Sequence, residues 1–312
     1  MLSVPRLRLL SELHHRGTIA SVAQALSYTP SAVSQQLAQL ERESAVPLLE
    51  RVGRGVTLTP AAVALVEHAE AVFARLELAE SELTAAQAEI RGTLRVASFQ
   101  SVVLALLPGT VQLLRDRHPH LEVDVTQREV AAAYDGLRSS VFDLIVGEEY
   151  PDEAAAVHPG IDRVELLSDP ICLVLPAHGP YSAVPRTLAD LAHTPWALDP
   201  VTAPTGAWAR AVCRRAGFEP IVRFDSPDPL VHAHLVRSGL AAAFMPALLA
   251  PEHLDGLQII GLPGEPHRIL YTAARSGRAA RGDVAAFRSA LADAIAAQSP
   301  PGAPWSHSLG PR

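Results

Sequence analysis

Long apolar runs are missing from this sequence of 312 residues. Its start, MLSVPRLRLLSELHHRG, has no apolar stretch of signal-peptide length, and the most apolar later run, GLAAAFMPALLAP, is short and broken by Pro246. That excludes a membrane span and points to a cytoplasmic location. Cysteine is scarce. Cys172 in ICLVLP and Cys213 in WARAVCRRAGF read as small buried hydrophobes, and the sequence does not place them within bridging distance as a redox pair. Lysine is absent, so the strongly basic side chains are all arginine, a compositional trait that names no partner. Catalytic signatures are lacking too. His14/His15, His118/His120 and His232/His234 come in pairs, but HExxH, GxSxG, Walker A and GxGxxG do not occur. No enzyme, cofactor or metal centre is expected.

What is present describes an ordered globular protein. An apolar share of 48% against 19% charged residues excludes a disordered chain, and the length accommodates two or three domains. Charge is uneven. The net charge is −7, yet residues 1–60 hold six arginines against four glutamates, a local +2. A weakly basic end on an acidic body permits nucleic-acid binding without proving it.

Apolar residues up to Arg42 follow helical spacing in three bursts: Leu7, Leu10, Leu13; Ile19, Val22, Ala23, Leu26; and Val33, Leu37, Leu40. Gly17 ends the first helix, Thr18 caps the second, and Pro30 opens the third after the turn in SYTP. VPLLERVGRGVTLT follows, and its Gly53 and Gly55 around Arg54 mark the tip of a small β-wing. From Pro60 no glycine or proline interrupts the pattern until Gly92. Leu65, Ala69, Val72, Leu76, Ala79, Leu83, Ala86 and Ile90 form a seam at alternating spacings of four and three, a helix that seeks a partner helix.

At 100° per residue the third helix turns Val33, Leu37 and Leu40 inward and Ser31, Ser34, Gln35, Ala38, Gln39 and Arg42 outward. Hydroxyls and amides match the mixed donors and acceptors of base edges in the major groove. Such residues on one helix also occur as ordinary solvated surface. The wing, with Arg51 and Arg54 suited to phosphate or minor-groove contact, tips the reading towards double-stranded DNA. The expected DNA-contact set is Thr29, Pro30, Ser31, Ser34, Gln35, Gln36, Gln39, Arg42, Arg51 and Arg54.

The run GTIASVAQALSYTPSAVSQQLAQLERESAVPLLERVGRGVTLTPAA resembles the signature of the LysR-type transcriptional regulators. Ala45 and Ala62 depart from it, standing where that family commonly has glycine. The resemblance implies an N-terminal all-α winged helix-turn-helix (1–59), a long linker and dimerisation helix (60–91), and a two-lobed, periplasmic-binding-protein-like α/β effector domain (92–298). It also implies self-association into a dimer or tetramer through linker helix and effector domain.

The residues alone give the same α/β reading beyond Gly92. TLRVAS, LEVDVTQ, DLIVGEE, ICLVLP, WALD, PIVRF, LAAAFMP, LQIIGL and RILYTAAR read as strands between helical segments, one of them VLALLPGTVQLLRDRHP. SPPGAPWSHSLGPR (299–312) reads as a disordered tail. Ligands of α/β sheets sit beyond the carboxyl ends of strands. That places Ser98, Gln100, Ser101, Glu148, Asp199, Thr202, Thr205 and Met245 around an effector cleft, although each Ser or Thr serves equally well as a helix cap and Met245 as core. Hydroxyl loops opposite acidic strand ends suit an amino-acid-like or small carboxylate effector. The alternative is a small-molecule-binding protein or α/β enzyme whose vestigial head serves only oligomerisation.

Overall fold

Helix α1 (Val4–Arg16) ends at Gly17, whose φ of 74° turns the chain left-handed as its N–H bonds the Leu13 carbonyl. Thr18 Oγ1 then accepts from Ser21 N (3.1 Å) to start α2 (Ile19–Ala25), and Thr29 Oγ1 accepts from Ala32 N (3.2 Å) to start α3 (Pro30–Ser44). Leu10, Leu13, Val22, Val33, Leu37 and Leu40 are buried together, so the three apolar bursts form one small core. The computed structural model describes residues 2–53, 55–85, 89–151, 158–298 and 307–309. Of the two departures from the family pattern, Ala45 caps α3 at φ 55°, a left-handed conformation that glycine adopts without strain. Ala62 is helical and fully buried, so its methyl group belongs to the core.

Glu41 holds the lead-in to the wing by accepting from Leu48 N (2.9 Å) and Leu49 N (3.1 Å). The antiparallel wing strands are β1 (Leu49–Val52) and β2 (Gly55–Leu58); Arg54 between them lies outside the described residues. Thr59 Oγ1 donates to the Pro47 carbonyl and caps α4 (Pro60–Ala85) at Ala62 N. This linker helix extends about 39 Å at 1.5 Å per residue. Its first turns complete the core of the head, with Ala62, Val66 and Ala69 buried. Further along the seam Val72, Leu76, Ala79 and Leu83 are exposed, Leu83 at 74%. The described helix is shorter than the expected span to residue 91: Ala86 lies outside the described residues, and Ile90 has left the helix to pack on the first lobe.

The remaining described elements are, in order, β3 (Gly92–Ser98), α5 (Gln100–Ala105), α6 (Leu107–Arg117), β4 (Leu121–Gln127), α7 (Val130–Arg138), β5 (Leu144–Glu149), β6 (Ile161–Leu175), β7 (Pro195–Leu198), α8 (Pro204–Arg215), β8 (Ile221–Asp225), α9 (Pro229–Arg237), β9 (Ala243–Pro246), α10 (Ala250–His253), β10 (Gln258–Gly261), β11 (His267–Arg275), α11 (Gly282–Gln298) and β12 (His307–Ser308). Parallel β4, β3 and β5 with antiparallel β11 build the first lobe, and β7 to β10 with their helices build the second. The chain passes between them along β6, which pairs β11 over Ile161–Pro170 and then β9 and β10 over Ile171–Leu175. It returns along β11. Strand β6 is thus continuous across both lobes, and the return runs through residues 262–266 into β11.

Three expectations are corrected. The segment read as one helix, VLALLPGTVQLLRDRHP, breaks into α5 and α6 at Leu106, because Pro108 in the first turn of α6 has no N–H to continue the ladder. Strand β6 begins ten residues before ICLVLP. The tail is not wholly disordered: β12 pairs in parallel with β10, Leu309 N donates to the Gly261 carbonyl (3.0 Å), and Leu309 is buried in the second lobe. The rest of it, 299–306 and 310–312, lies outside the described residues.

Candidate DNA-reading face and interlobe cleft

On α3, Thr29, Pro30, Ser31, Ser34, Gln35, Gln36 and Arg42 are exposed, Gln39 is half-buried, and Arg51 is exposed on the wing. These side chains do not all stand free. Thr29 is committed to its cap and touches Ser31 Oγ (3.0 Å). Gln36 Oε1 accepts from Arg6 Nε (2.9 Å), while Gln39 lies between Glu43 (3.2 Å) and Arg42 (2.6 Å). Ser34 and Gln35 point out with no hydrogen-bond partner among the described residues. The face thus has two open polar groups at its centre and a pre-ordered Gln39–Arg42 pair along its edge.

Between the lobes lies a cleft, partly open to solvent. Gln100, Ser101, Glu148, Asp199, Thr205 and Met245 line it. Two expected residues do not. Ser98 is fully buried behind the cleft because β3 ends inside the sheet, and Thr202 is exposed on the turn before α8. Gly206 holds that turn in place: a Cβ there would stand 2.1 Å from the Pro200 carbonyl, so α8 starts directly against the Asp199–Pro200 backbone. Arg210 secures it from below through the carbonyls of Asp199 (2.8 Å) and Gly206 (2.9 Å). Gln100 bridges the lobes by donating to Asp228 Oδ1 (2.9 Å), the cap of α9.

At the floor stands Arg268, which sequence reasoning missed. Its Nε donates to Asp169 Oδ2 (2.8 Å), Nη1 to Glu148 Oε2 (2.6 Å) and Nη2 to Ser101 Oγ (2.9 Å), with the Phe99 ring 5.3 Å away. Ser101 therefore spends its hydroxyl on an arginine. Burial raises the pKa values of Glu148 and Asp169, and the guanidinium pulls both back. Burial likewise disfavours the Arg268 charge, but the two carboxylates outweigh it and raise its pKa. Across the cleft burial raises Asp199, opposed by the Thr205 hydroxyl. Glu129 is exposed at the mouth, yet protein around its carboxyl, and then the Asp199 charge, raise it as well. Phe99, Tyr150, Trp208 and Phe244 form the aromatic walls. An arginine at the start of a largely apolar strand segment, RILYTAAR, was the available signal for this site.

Residues 87–296 match the LysR substrate binding domain family, and residues 5–63 match the bacterial regulatory helix-turn-helix protein, lysR family. The chain belongs to the LysR family of transcriptional regulators. Its relatives include the transcriptional dual regulator GltC of Bacillus subtilis, 25% identical over 77% of this chain and 79% of that protein. Another is a probable hydrogen peroxide-inducible genes activator of Streptomyces viridosporus, 27% identical over 94% of each. A full-length OxyR variant from Pseudomonas aeruginosa shares the fold with a TM-score of 0.65 at 17% identity, covering 93% of this chain and 95% of that one. These relatives are regulators, not enzymes.

The cysteines of this LysR regulator are not set up as thiolates. Cys172 is fully buried, donates to the Met245 carbonyl (3.1 Å) and has its pKa raised by burial; burial pushes Cys213 up to about 12. They belong to separate clusters of the second-lobe core and are both free. Among the described residues no helix is long and apolar enough to cross a membrane.

Proposed function

We propose that this LysR regulator reads the major groove with Ser31, Ser34, Gln35 and the Gln39–Arg42 pair, and that a small molecule held in the interlobe cleft controls it. The observation that carries the reading is the open Ser34–Gln35 pair at the centre of α3, held rigidly by the buried Val33–Leu37–Leu40 stripe beneath. Base contact through such groups supplies roughly 1–3 kcal/mol of discrimination each. The exposed stripe Val72, Leu76, Ala79 and Leu83 pairs two linker helices and sets the distance between two heads.

Equilibrium binding to DNA from the protein's own promoter region and to random DNA, at two salt concentrations, tests the reading. Gln35→Ala lowers the specificity ratio about 5- to 100-fold, while Arg51→Ala weakens both DNAs alike and flattens the salt dependence. An unchanged ratio for Gln35→Ala would remove α3 as the reading face.

A further inference from the structure

Charge in the cleft is unbalanced in one direction. Arg268 is the only arginine lining it among the described residues, and two carboxylates already answer its single charge. Three of its N–H groups are engaged, so it offers no free fork to a ligand carboxylate. Glu129 and Asp199 add two more acids. Neither forms an ion pair among the described residues; Arg210, which pairs with Asp225 (3.7 Å), and His232, whose Nε2 contacts the Ser226 carbonyl (2.8 Å), offset part of the Asp199 charge from a distance. The three lining carboxylates, Glu129, Glu148 and Asp199, lie close enough to repel one another. Beside them Trp208 meets Phe244 edge to face at 5.5 Å and packs tilted against Tyr150 at 5.9 Å, and all three rings line the cleft. Ring faces attract cations.

We infer that the effector is a small organic cation bearing an amine or guanidinium group, which Asp199, Glu129 and Glu148 receive while its apolar part lies against Trp208 and Phe244. The inference rests on the cleft being the effector site. It narrows the amino-acid-like or carboxylate expectation to ligands whose positive end enters first, and it excludes simple mono- and dicarboxylates. A bound ammonium would relieve the mutual repulsion among the lining acids. Asp199 is half-buried and Glu129 exposed, so neutralising either leaves the fold intact.

Isothermal calorimetry on the full-length protein with putrescine, agmatine, lysine and arginine, set against glutarate, adipate and benzoate, decides the matter. At least one cation binds. Asp199→Asn and Glu129→Gln each weaken that cation at least 10-fold, and both variants melt at or above the parent temperature because a repulsive charge is gone. No heat from any of the four cations overturns the inference. A carboxylate that binds and is weakened by Phe244→Ala overturns it while keeping the cleft as effector site. Binding of either sign that ignores Asp199→Asn, Glu129→Gln and Phe244→Ala alike removes the cleft itself.

Discussion

Replacing Arg268 by methionine removes one cation from between two buried acids. The Arg268 and Asp169 side chains are each 3% exposed and that of Glu148 is 12% exposed, so the change leaves two desolvated carboxylates facing each other. Breaking a buried ion pair from one side costs about 3–5 kcal/mol. The acids relieve that cost by binding protons, each unit of raised pKa being worth about 1.4 kcal/mol. Raised folded pKa values give stability that is present at low pH and lost as pH rises through them. The variant's deficit is therefore largest near pH 8 and shrinks by about 1 kcal/mol or more at pH 5. Urea unfolding followed by fluorescence of Trp196 and Trp208, both buried in the second lobe, measures it at both pH values. The triple variant Arg268→Met/Glu148→Gln/Asp169→Asn recovers most of the loss, since an asparagine amide oxygen can still accept from Leu248 N as Asp169 Oδ1 does at 2.9 Å. A single-variant deficit below about 1 kcal/mol, or one independent of pH, refutes the reasoning.

Leu76→Glu places a charge on the exposed stripe of α4, where Leu76 is 47% exposed, so the subunit keeps its melting temperature while the oligomer weakens by several kcal/mol. Sedimentation showing an unchanged assembly would exclude this stripe as the main contact. Ala45→Gly relaxes the left-handed cap of α3, worth about 1–2 kcal/mol, against about 0.4–1 kcal/mol of added freedom in the unfolded chain. The net gain of about 0.5–1 kcal/mol appears as a higher melting temperature of the head, and a lower one would contradict the strain.

The head was legible because its signals are local: Thr18, Thr29, Pro30 and Gly17 act within a turn of where they stand. Strands of the lobes were legible from their apolar runs, but the first ten residues of β6 were not, since IDRVELLSDP mixes charges and ends in proline. Its pairing partner β11 lies about a hundred residues away, and only that pairing makes it a strand. Arg268 was hidden for the same reason. Its neighbour in sequence, Glu265, is not its partner; Ser101, Glu148 and Asp169 reach it from three separate segments. Leu309 shows the converse, a single apolar side chain outweighing a proline-rich context by filling a gap beside β10.

Strand β11 begins in the cleft and ends at the linker helix. Seven residues beyond Arg268, about 23 Å at strand rise, Arg275 Nε donates to Glu77 Oε1 of α4 at 2.7 Å. Ser81 one turn further fastens α4 to the Gly277 carbonyl at 2.9 Å, and a Cβ on Gly277 would stand 2.4 Å from the Ala74 carbonyl. The strand is flanked by β5 on one edge and by β6 on the other, where the register shifts between Leu270 and Tyr271. One strand therefore joins the floor of the cleft, through Arg268, to α4, through Arg275.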